Sequence, residues 1–480
     1  MKDSKLVKQI SLMDGRERER LRQFVVSPYF NQHRPSAKLL DLLLANLEAK
    51  KPLLDKLSIA KKLFPGQAFQ EQPLADVMSS LMKLINRFLA IEQLEQRPLT
   101  TEVLTLERAQ QTNRFELLKN RSKRLQRLLA DYPHQGSEYH WASYRLYTAY
   151  GYYRNGYEDR SDAAPLQQML HSLDRYYFVE KLRHACHLTA NTMLMNTSFE
   201  FSLLEEVINH LQSPAGTSIL ANDHSINCYF HILFSLREPD DLSHYERLRY
   251  YSNEAFDLLP AEEQKDLFAF ASNYCITRIM HGDNDFRREL FELYRRALAT
   301  GLSYDNGIIS EWNYKNIVTL GCAVEEYTWT EAFIEENYLR LPDKKRDNAY
   351  ALNKAQYYYS RGLYHEAGDL LRKVADSDVK YHLARVLLEV RIAYDQQETN
   401  YLLNLLDTFR LYVRRQKKMS AKDKRSYLNY TRFARQLANL RHQETFLRRS
   451  EFSAKLLGLH QKIRETPSLV AGSGCCKKAS

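Results

Sequence analysis

The chain has 480 residues, 44% hydrophobic and 12% aromatic, which is enough apolar surface to build a core and to exclude wholesale disorder. Its 15 glycines and 13 prolines are few for this length, which argues against turn-rich β folds and glycine-rich phosphate loops. The net charge of +10 is concentrated: from Glu398 to Ile463 there are 15 Lys or Arg against 5 Asp or Glu, and the remainder is balanced.

The first stretch, 1–98, reads as a small helical unit of its own. No apolar run long enough for a secretory signal precedes Asp14. Asp14 is placed to cap a helix carrying Leu21, Phe24 and Val25 on one side, which Pro28 ends. Ser36 opens a leucine-rich helix through Leu47, and Ser58 a short one ending at Phe64-Pro65-Gly66. Leu74 to Leu94 follows with Val77, Leu81, Leu84, Ile85 and Phe88 at helical spacing. Residues 99–136 form a linking segment, read as one polar helix from Thr101 to Asp131.

From 137 to 465, helices of roughly fifteen to twenty residues alternate with short breaks, as stacked helix hairpins require. The breaks fall at Asn155-Gly156, Ser213 to Gly216, Pro239-Asp240, Pro260, Gly282-Asp283, Gly301, Pro342-Asp343 and Gly362. The tail, 466–480, is expected to be disordered. No stretch approaches the ~18 apolar residues of a membrane span, so membrane insertion is not expected. Cys186, Cys228, Cys275 and Cys322 lie in apolar helical patterns, while Cys475 and Cys476 lie in the tail. Such scattering implies no disulfide framework and fits a cytoplasmic protein.

The segment Asn348 to Ala375 resembles a tetratricopeptide repeat. Ala355 stands at the small position of the first helix, Tyr358 at its aromatic, Gly362 at the turn, and Tyr364 with Ala367 at the start of the second helix. Trp329-Thr-Glu-Ala332 matches Tyr364-His-Glu-Ala367 35 residues earlier, and Thr399-Asn-Tyr-Leu402 is a degenerate third copy. The resemblance implies an all-α chain in which the N-terminal helical unit is followed by a tetratricopeptide-like, right-handed α-solenoid. Phe24 to Asn31, Lys62 to Gly66, Met78 to Leu89 and Leu405 to Arg415 are also similar to a group of proteins common in Bacteroidetes-type bacteria. That similarity implies one continuous chain with a distinct N-terminal unit, and supplies no activity.

A tetratricopeptide stack binds peptides along the first helices of its hairpins, so the resemblance puts Tyr314, Ile317 and Val324, then Leu352, Gln356 and Tyr359, then Leu387, Arg391 and Tyr394 on the groove side. One subgroup clamps a C-terminal carboxylate with Lys and Asn at such positions. Leu352 and Gln356 stand there in this chain and do not support that clamp. The expected function is therefore a non-catalytic adaptor for another protein or peptide segment.

The rival reading is nucleic-acid or other polyanion binding by the basic segment. Arg410, Arg414 and Lys417 share a helical stripe, with Arg415 and Lys418 alongside, then Lys422, Lys424 and Arg425, then Arg432 and Arg435. The bland alternative is a solvated end of the stack, since terminal repeats carry a polar outer face.

His184, Cys186, His187, Cys228 and His231 have spacings that would suit zinc if their two helices met, but core or seam positions are the more economical reading. Glu262-Glu263, Glu325-Glu326 and Glu335-Glu336 read as exposed helix faces rather than paired catalytic acids. No nucleophile elbow, phosphate loop or zincin motif occurs, and no catalytic residue, cofactor or metal is expected.

Overall fold

A computed structural model describes residues 4–49, 55–157, 163–195, 197–375, 379–417, 419–443 and 446–466. Lys418, Cys475, Cys476 and the tail beyond Thr466 lie outside the described residues. Among those described the chain is all-α, with one two-residue β pairing, Tyr304–Asp305 against Ile308–Ile309.

The helices are α1 (Lys5–Leu12), α2 (Gly15–Val26), α3 (Arg34–Glu48), α4 (Lys56–Leu63), α5 (Glu71–Glu95), α6 (Pro98–Gln111), α7 (Phe115–Ala130), α8 (Ser137–Tyr157), α9 (Ala164–Met195), α10 (Leu204–Gln212), α11 (Pro214–Asn222) and α12 (His224–Arg237). They continue as α13 (Leu242–Asn253), α14 (Ala261–Met280), α15 (Phe286–Ala299), α16 (Glu311–Ala323), α17 (Tyr327–Glu336), α18 (Arg346–Ser360), α19 (Tyr364–Leu371), α20 (Val379–Asp395), α21 (Thr399–Arg415), α22 (Ala421–His442) and α23 (Arg449–Glu465). The chain divides into two compact units: Met1–Leu233 with Asp257–Pro260, and Phe234–Phe256 with Ala261–Ser480.

In the first unit α1 to α5 share one apolar core, with Leu21, Leu39, Leu81 and Ile85 fully buried. Asp14 makes a complete capping box at α2: its Oδ1 accepts the Glu17 N–H at 2.8 Å, and Glu17 Oε2 accepts the Asp14 N–H at 3.0 Å. A second core joins α6, α7 and α8 through Leu99, Leu106, Leu125 and Ala142. The segment read as one polar helix is thus two helices. Asn113 breaks it by adopting φ 51°, in the left-handed region an asparagine tolerates better than most residues. The break expected at Asn155-Gly156 is absent, since α8 runs through to Tyr157.

Four helix hairpins of the second unit, α14/α15, α16/α17, α18/α19 and α20/α21, turn in the same way. Each first helix ends on a left-handed residue: Gly282 (φ 100°), Glu325 (62°), Gly362 (74°) and Gln397 (62°). The next residue's N–H then reaches back five positions, Asp283 to Arg278 O, Glu326 to Gly321 O, Leu363 to Tyr358 O and Glu398 to Ala393 O. This is the Schellman termination, which satisfies carbonyls the helix end would otherwise leave bare. In α18/α19 the small residues Ala355 and Ala367 are fully buried where the two helices meet.

Only glycine occupies the left-handed region without a Cβ penalty of roughly 1–2 kcal/mol. Glu325 and Gln397 are exposed, so Glu325→Gly and Gln397→Gly are each expected to raise stability by about 1 kcal/mol, and Gly362→Ala to lower it by about as much. Urea midpoints of the three variants check this; equal midpoints would show the turns to be unstrained.

Candidate groove on the first helices

α16 starts at Ser310, whose hydroxyl accepts the Asn313 N–H at 3.1 Å. One face of this helix is core: Tyr314, Ile317 and Val318 are all fully buried. The opposite face carries Trp312, Lys315 and Thr319 at i, i+3 and i+7, so the three side chains line up along the helix.

That row faces a groove of about 750 Å³ built from four helices of the second unit. α18 contributes Leu352, Asn353 and Gln356, and α20 contributes Lys380, Leu383, Leu387 and Arg391. Asp423 and Tyr427 of α22 close the far side with Met419. Leucines and polar or cationic side chains therefore alternate along the same helices of the lining.

Trp312 is 44% exposed, with the Lys380 ammonium 4.6 Å and the Lys315 ammonium 5.9 Å from its ring centroid. Lys315 forms no hydrogen bond and no ion pair among the described residues. Burial depresses its ammonium below the ordinary lysine value, and the Arg391 guanidinium adds to the depression. The acid of the lining, Asp423, is engaged locally: its Oδ2 accepts the Ser420 hydroxyl at 2.7 Å in the cap of α22.

Of the residues assigned to this groove from sequence, Leu352, Gln356, Leu387 and Arg391 line it. Tyr314 does not: it is fully buried, and its hydroxyl donates to Ile334 O at 2.9 Å. Tyr359 donates to Asp395 Oδ2 at 2.9 Å and ties α18 to α20. The Tyr394 ring lies 4.8 Å under the Arg441 guanidinium. Trp312 and Lys315 went unrecognised because the face of Tyr314 and Ile317, two residues out of phase, was assigned to the groove; a tryptophan three residues before a lysine was the available signal.

Behind the groove, Lys354 of α18 is 7% exposed and pairs with Glu331 and Glu335 of α17, each at 2.8 Å. Burial alone would depress the lysine, but hydrogen bonds to the two carboxylates raise it above its ordinary value. The Lys354 hydrogen bond in turn holds Glu331 below its ordinary value. The lysine's contribution is therefore complete below its ordinary pKa of about 10.4 and is lost as pH rises through the raised value. The glutamate's is complete above about 4.3 and is lost as pH falls through the lowered one. Both carboxylates are about half exposed, so Lys354→Met is expected to cost only about 1 kcal/mol at neutral pH. Denaturation at several pH values checks this: the gap to wild type must narrow at both extremes, and a constant gap would refute it.

The basic segment forms a second, smaller cleft of about 390 Å³ between α21 and α22. Arg410, Arg414, Arg432 and Arg435 line it with Asn429, Gln436 and Asn439. Arg435 pairs with Asp407 and holds its carboxyl below the ordinary value, with Arg410 3.8 Å from the same acid. Arg414 and Arg432 form no ion pair among the described residues. Arg415, Lys417, Lys422 and Arg425 are exposed outside the cleft, Lys424 is half-buried, and Lys418 lies outside the described residues.

The zinc-like constellation does not assemble. His184 is 70% exposed and lies 3.3 Å from Glu180, whereas Cys186 is fully buried and donates to Tyr229 O. Glu238, Asp241 and His244 do bring three ligand atoms within 4.8 Å. Asp241 is already the cap of α13, and His244 stacks on Phe234 with centroids 5.0 Å apart. Glu263, read as part of an exposed face, is buried at 4%. No described helix is long and apolar enough to cross a membrane. Compared with protein-family models, curated proteins and solved structures, the chain matches none.

Proposed function

We propose that this chain is a non-catalytic scaffold that holds a peptide segment of another protein along the first helices of its C-terminal hairpins. In this reading the hairpins are tetratricopeptide-like units in a right-handed α-solenoid, of the kind the Bacteroidetes-type similarity implies. The Schellman turns at Glu325, Gly362 and Gln397, 37 and 35 residues apart, support it. The observation that carries it is the groove of about 750 Å³, in which leucines stand among polar and cationic groups of α16, α18 and α20, with α22 on the far side. Aliphatic contact supplies affinity and a few polar groups supply register.

A cytoplasmic site of action goes with this reading. The described cysteines, Cys186, Cys228, Cys275 and Cys322, are all free and buried, as a reducing compartment allows. Burial pushes the Cys275 thiol up to about 12 and that of Cys322 up to about 11, so neither is a nucleophile at neutral pH.

The test is photo-crosslinking in cells, with benzoylphenylalanine in place of Leu387 and, as a control, of the exposed Leu411 of α21. A defined protein adduct that forms from position 387, survives nuclease, and is missing from position 411 is the expected result. Equal or absent adducts at the two positions would sink the reading.

The arginine cleft favours a second reading, binding of a polyanion such as single-stranded RNA. Contacts to phosphate must weaken steeply with salt. A labelled oligouridylate that binds at low salt, and fails to bind an Arg414→Glu/Arg432→Glu variant, would establish it; no binding at low salt would exclude it.

A further inference from the structure

Two rows of side chains face each other across the arginine cleft. Leu406, Arg410 and Arg414 stand four residues apart on α21, so they share one face. On α22 the row is Asn429, Arg432, Gln436 and Asn439, at steps of three and four, with Arg435 beside it. The described lining holds four guanidiniums and neither an acid nor an aromatic ring. Asp407, next to the cleft, pairs with Arg435 and lies 3.8 Å from Arg410, so it neutralises one of the four. Arg414 and Arg432 have no hydrogen bond or ion pair among the described residues. The Arg432 guanidinium is seated 4.5 Å from the Phe433 ring centroid. Cations gathered this closely repel one another, and an anion between them removes that cost.

The residue types limit which anion fits. Lysines are plentiful in the same segment, yet Lys417, Lys422 and Lys424 are not in the lining. A guanidinium places two parallel N–H groups on two oxygens of a phosphate, which an ammonium cannot do. Asn429, Gln436 and Asn439 each present donors and an acceptor. A peptide backbone answers both, whereas a chain of bare phosphates leaves the carboxamide oxygens unmet. Single-stranded RNA gains about 1–3 kcal/mol for each base stacked on an aromatic ring, and the described lining offers no ring. The cleft of about 390 Å³ is near the small end of the roughly 300–1,000 Å³ usual for ligand sites. One phosphorylated side chain with its flanking backbone suits that space.

We propose that the cleft between α21 and α22 binds a phosphorylated serine or threonine of a partner protein. Arg414 and Arg432 hold the phosphate, and Asn429, Gln436 and Asn439 hold the flanking backbone. The inference rests on the anion-site reading of this cleft given above, and puts a phosphopeptide in place of RNA as its occupant. The site is separate from the peptide groove. Asp423 and Tyr427 line that groove, and the residues nine positions after each, Arg432 and Gln436, line the cleft. Nine residues are about two and a half helical turns, so the two sites lie on opposite faces of α22. Their occupants do not compete.

The experiment uses an array of random dodecapeptides, each synthesised with a central phosphoserine, serine or glutamate, probed with the full chain. The strongest sequences are then measured in solution by anisotropy. The phosphoserine forms are expected to bind about tenfold or more tighter than the serine and glutamate forms, as a charge-assisted hydrogen bond would give. Arg414→Gln/Arg432→Gln abolishes that preference. Gln436→Glu/Asn439→Asp, two exposed isosteric changes that set carboxylates in the cleft, weakens the phosphoserine form by a similar factor and leaves the serine form unchanged. Thermal unfolding of both variants is expected to match wild type, and if one of them unfolds the other decides.

Equal binding of phosphoserine and serine forms, or a preference that survives both variants, overturns the phosphopeptide. Glutamate forms that match the phosphoserine forms overturn it too, since any acid would then serve. If an oligouridylate binds through Arg414 and Arg432 while phosphoserine confers no preference, the phosphopeptide falls and the polyanion reading stands. Failure of both probes to bind overturns the two together.

Discussion

Replacing His140 with leucine is expected to destabilise the first unit by about 3 kcal/mol, the upper end for stripping a buried polar group of its neighbour. His140 of α8 is 2% exposed, and Asp223, just before α12, is 0% exposed. The imidazole Nε2 lies 2.8 Å from Asp223 Oδ2, while Oδ1 accepts the Ile226 N–H at 3.0 Å as the cap of α12. One carboxylate thus fastens α8 to the start of α12 and satisfies a helix end. With His140 gone, Oδ2 keeps its burial and loses its counter-group. Asp223→Asn retains volume and a capping oxygen, so it should cost about 1–2 kcal/mol. Urea unfolding read from Trp141, with Trp312 and Trp329 replaced by phenylalanine, distinguishes the two. Equal, small shifts in both variants would show that the pair contributes little.

The His140–Asp223 pair leaves no trace in linear order, because its members lie far apart and neither belongs to a recognisable spacing. The hairpin turns were half readable for a related reason. Gly282 and Gly362 announce a left-handed turn, because glycine is the default residue there. Glu325 and Gln397 adopt the same conformation with side chains that give no such signal. Composition and periodicity were sufficient for an all-α chain, since scarce glycine and proline leave few alternatives. They did not resolve phase. On α16 the apolar spacing of Tyr314 and Ile317 marks a core face, and assigning those residues to the groove turned Lys315 and Trp312 away from it. On α18 and α20 the polar residues Gln356 and Arg391 interrupt apolar runs, and they fall in the groove lining.

The basic segment shows the same limit in another form. Sequence alone grouped Arg410 and Arg414 with Lys417 as one stripe, because residues three and four apart share a helix face. Tertiary packing regroups them: Arg410 and Arg414 of α21 meet Arg432 and Arg435 of α22 across a cleft, and the lysines stay outside it. Which charges act together is decided by the neighbouring helix, and that neighbour cannot be read from one helix's own periodicity.

Two glycines set how closely the helices approach, and alanine at each is expected to have different consequences. A Cβ on Gly216 would stand 2.0 Å from His210 O and 2.4 Å from Leu211 Cα, which are backbone atoms that no side-chain rotation can clear. Gly216→Ala must therefore push α11 away from α10, at a cost near the upper end of overpacking, about 3 kcal/mol. A Cβ on Gly321 would meet Thr330 Oγ1 at 2.2 Å and Thr330 Cβ at 3.3 Å. Thr330 is fully buried and donates to Glu326 O at 2.7 Å, so it yields reluctantly, and about 2 kcal/mol is expected for Gly321→Ala. The obstruction at Gly321 is mainly a hydroxyl, whereas at Gly216 it is the chain itself. Thr330→Ala should consequently restore part of the stability lost in Gly321→Ala, whereas no single substitution of His210 or Leu211 should rescue Gly216→Ala. Because α16 carries Trp312 and Lys315, Gly321→Ala should also shift Trp312 emission, and the Gly321→Ala/Thr330→Ala double variant should bring it back. A rescue of stability without return of that emission would mean that α16 can pack against α17 in more than one position, and that the groove wall does not depend on this close approach.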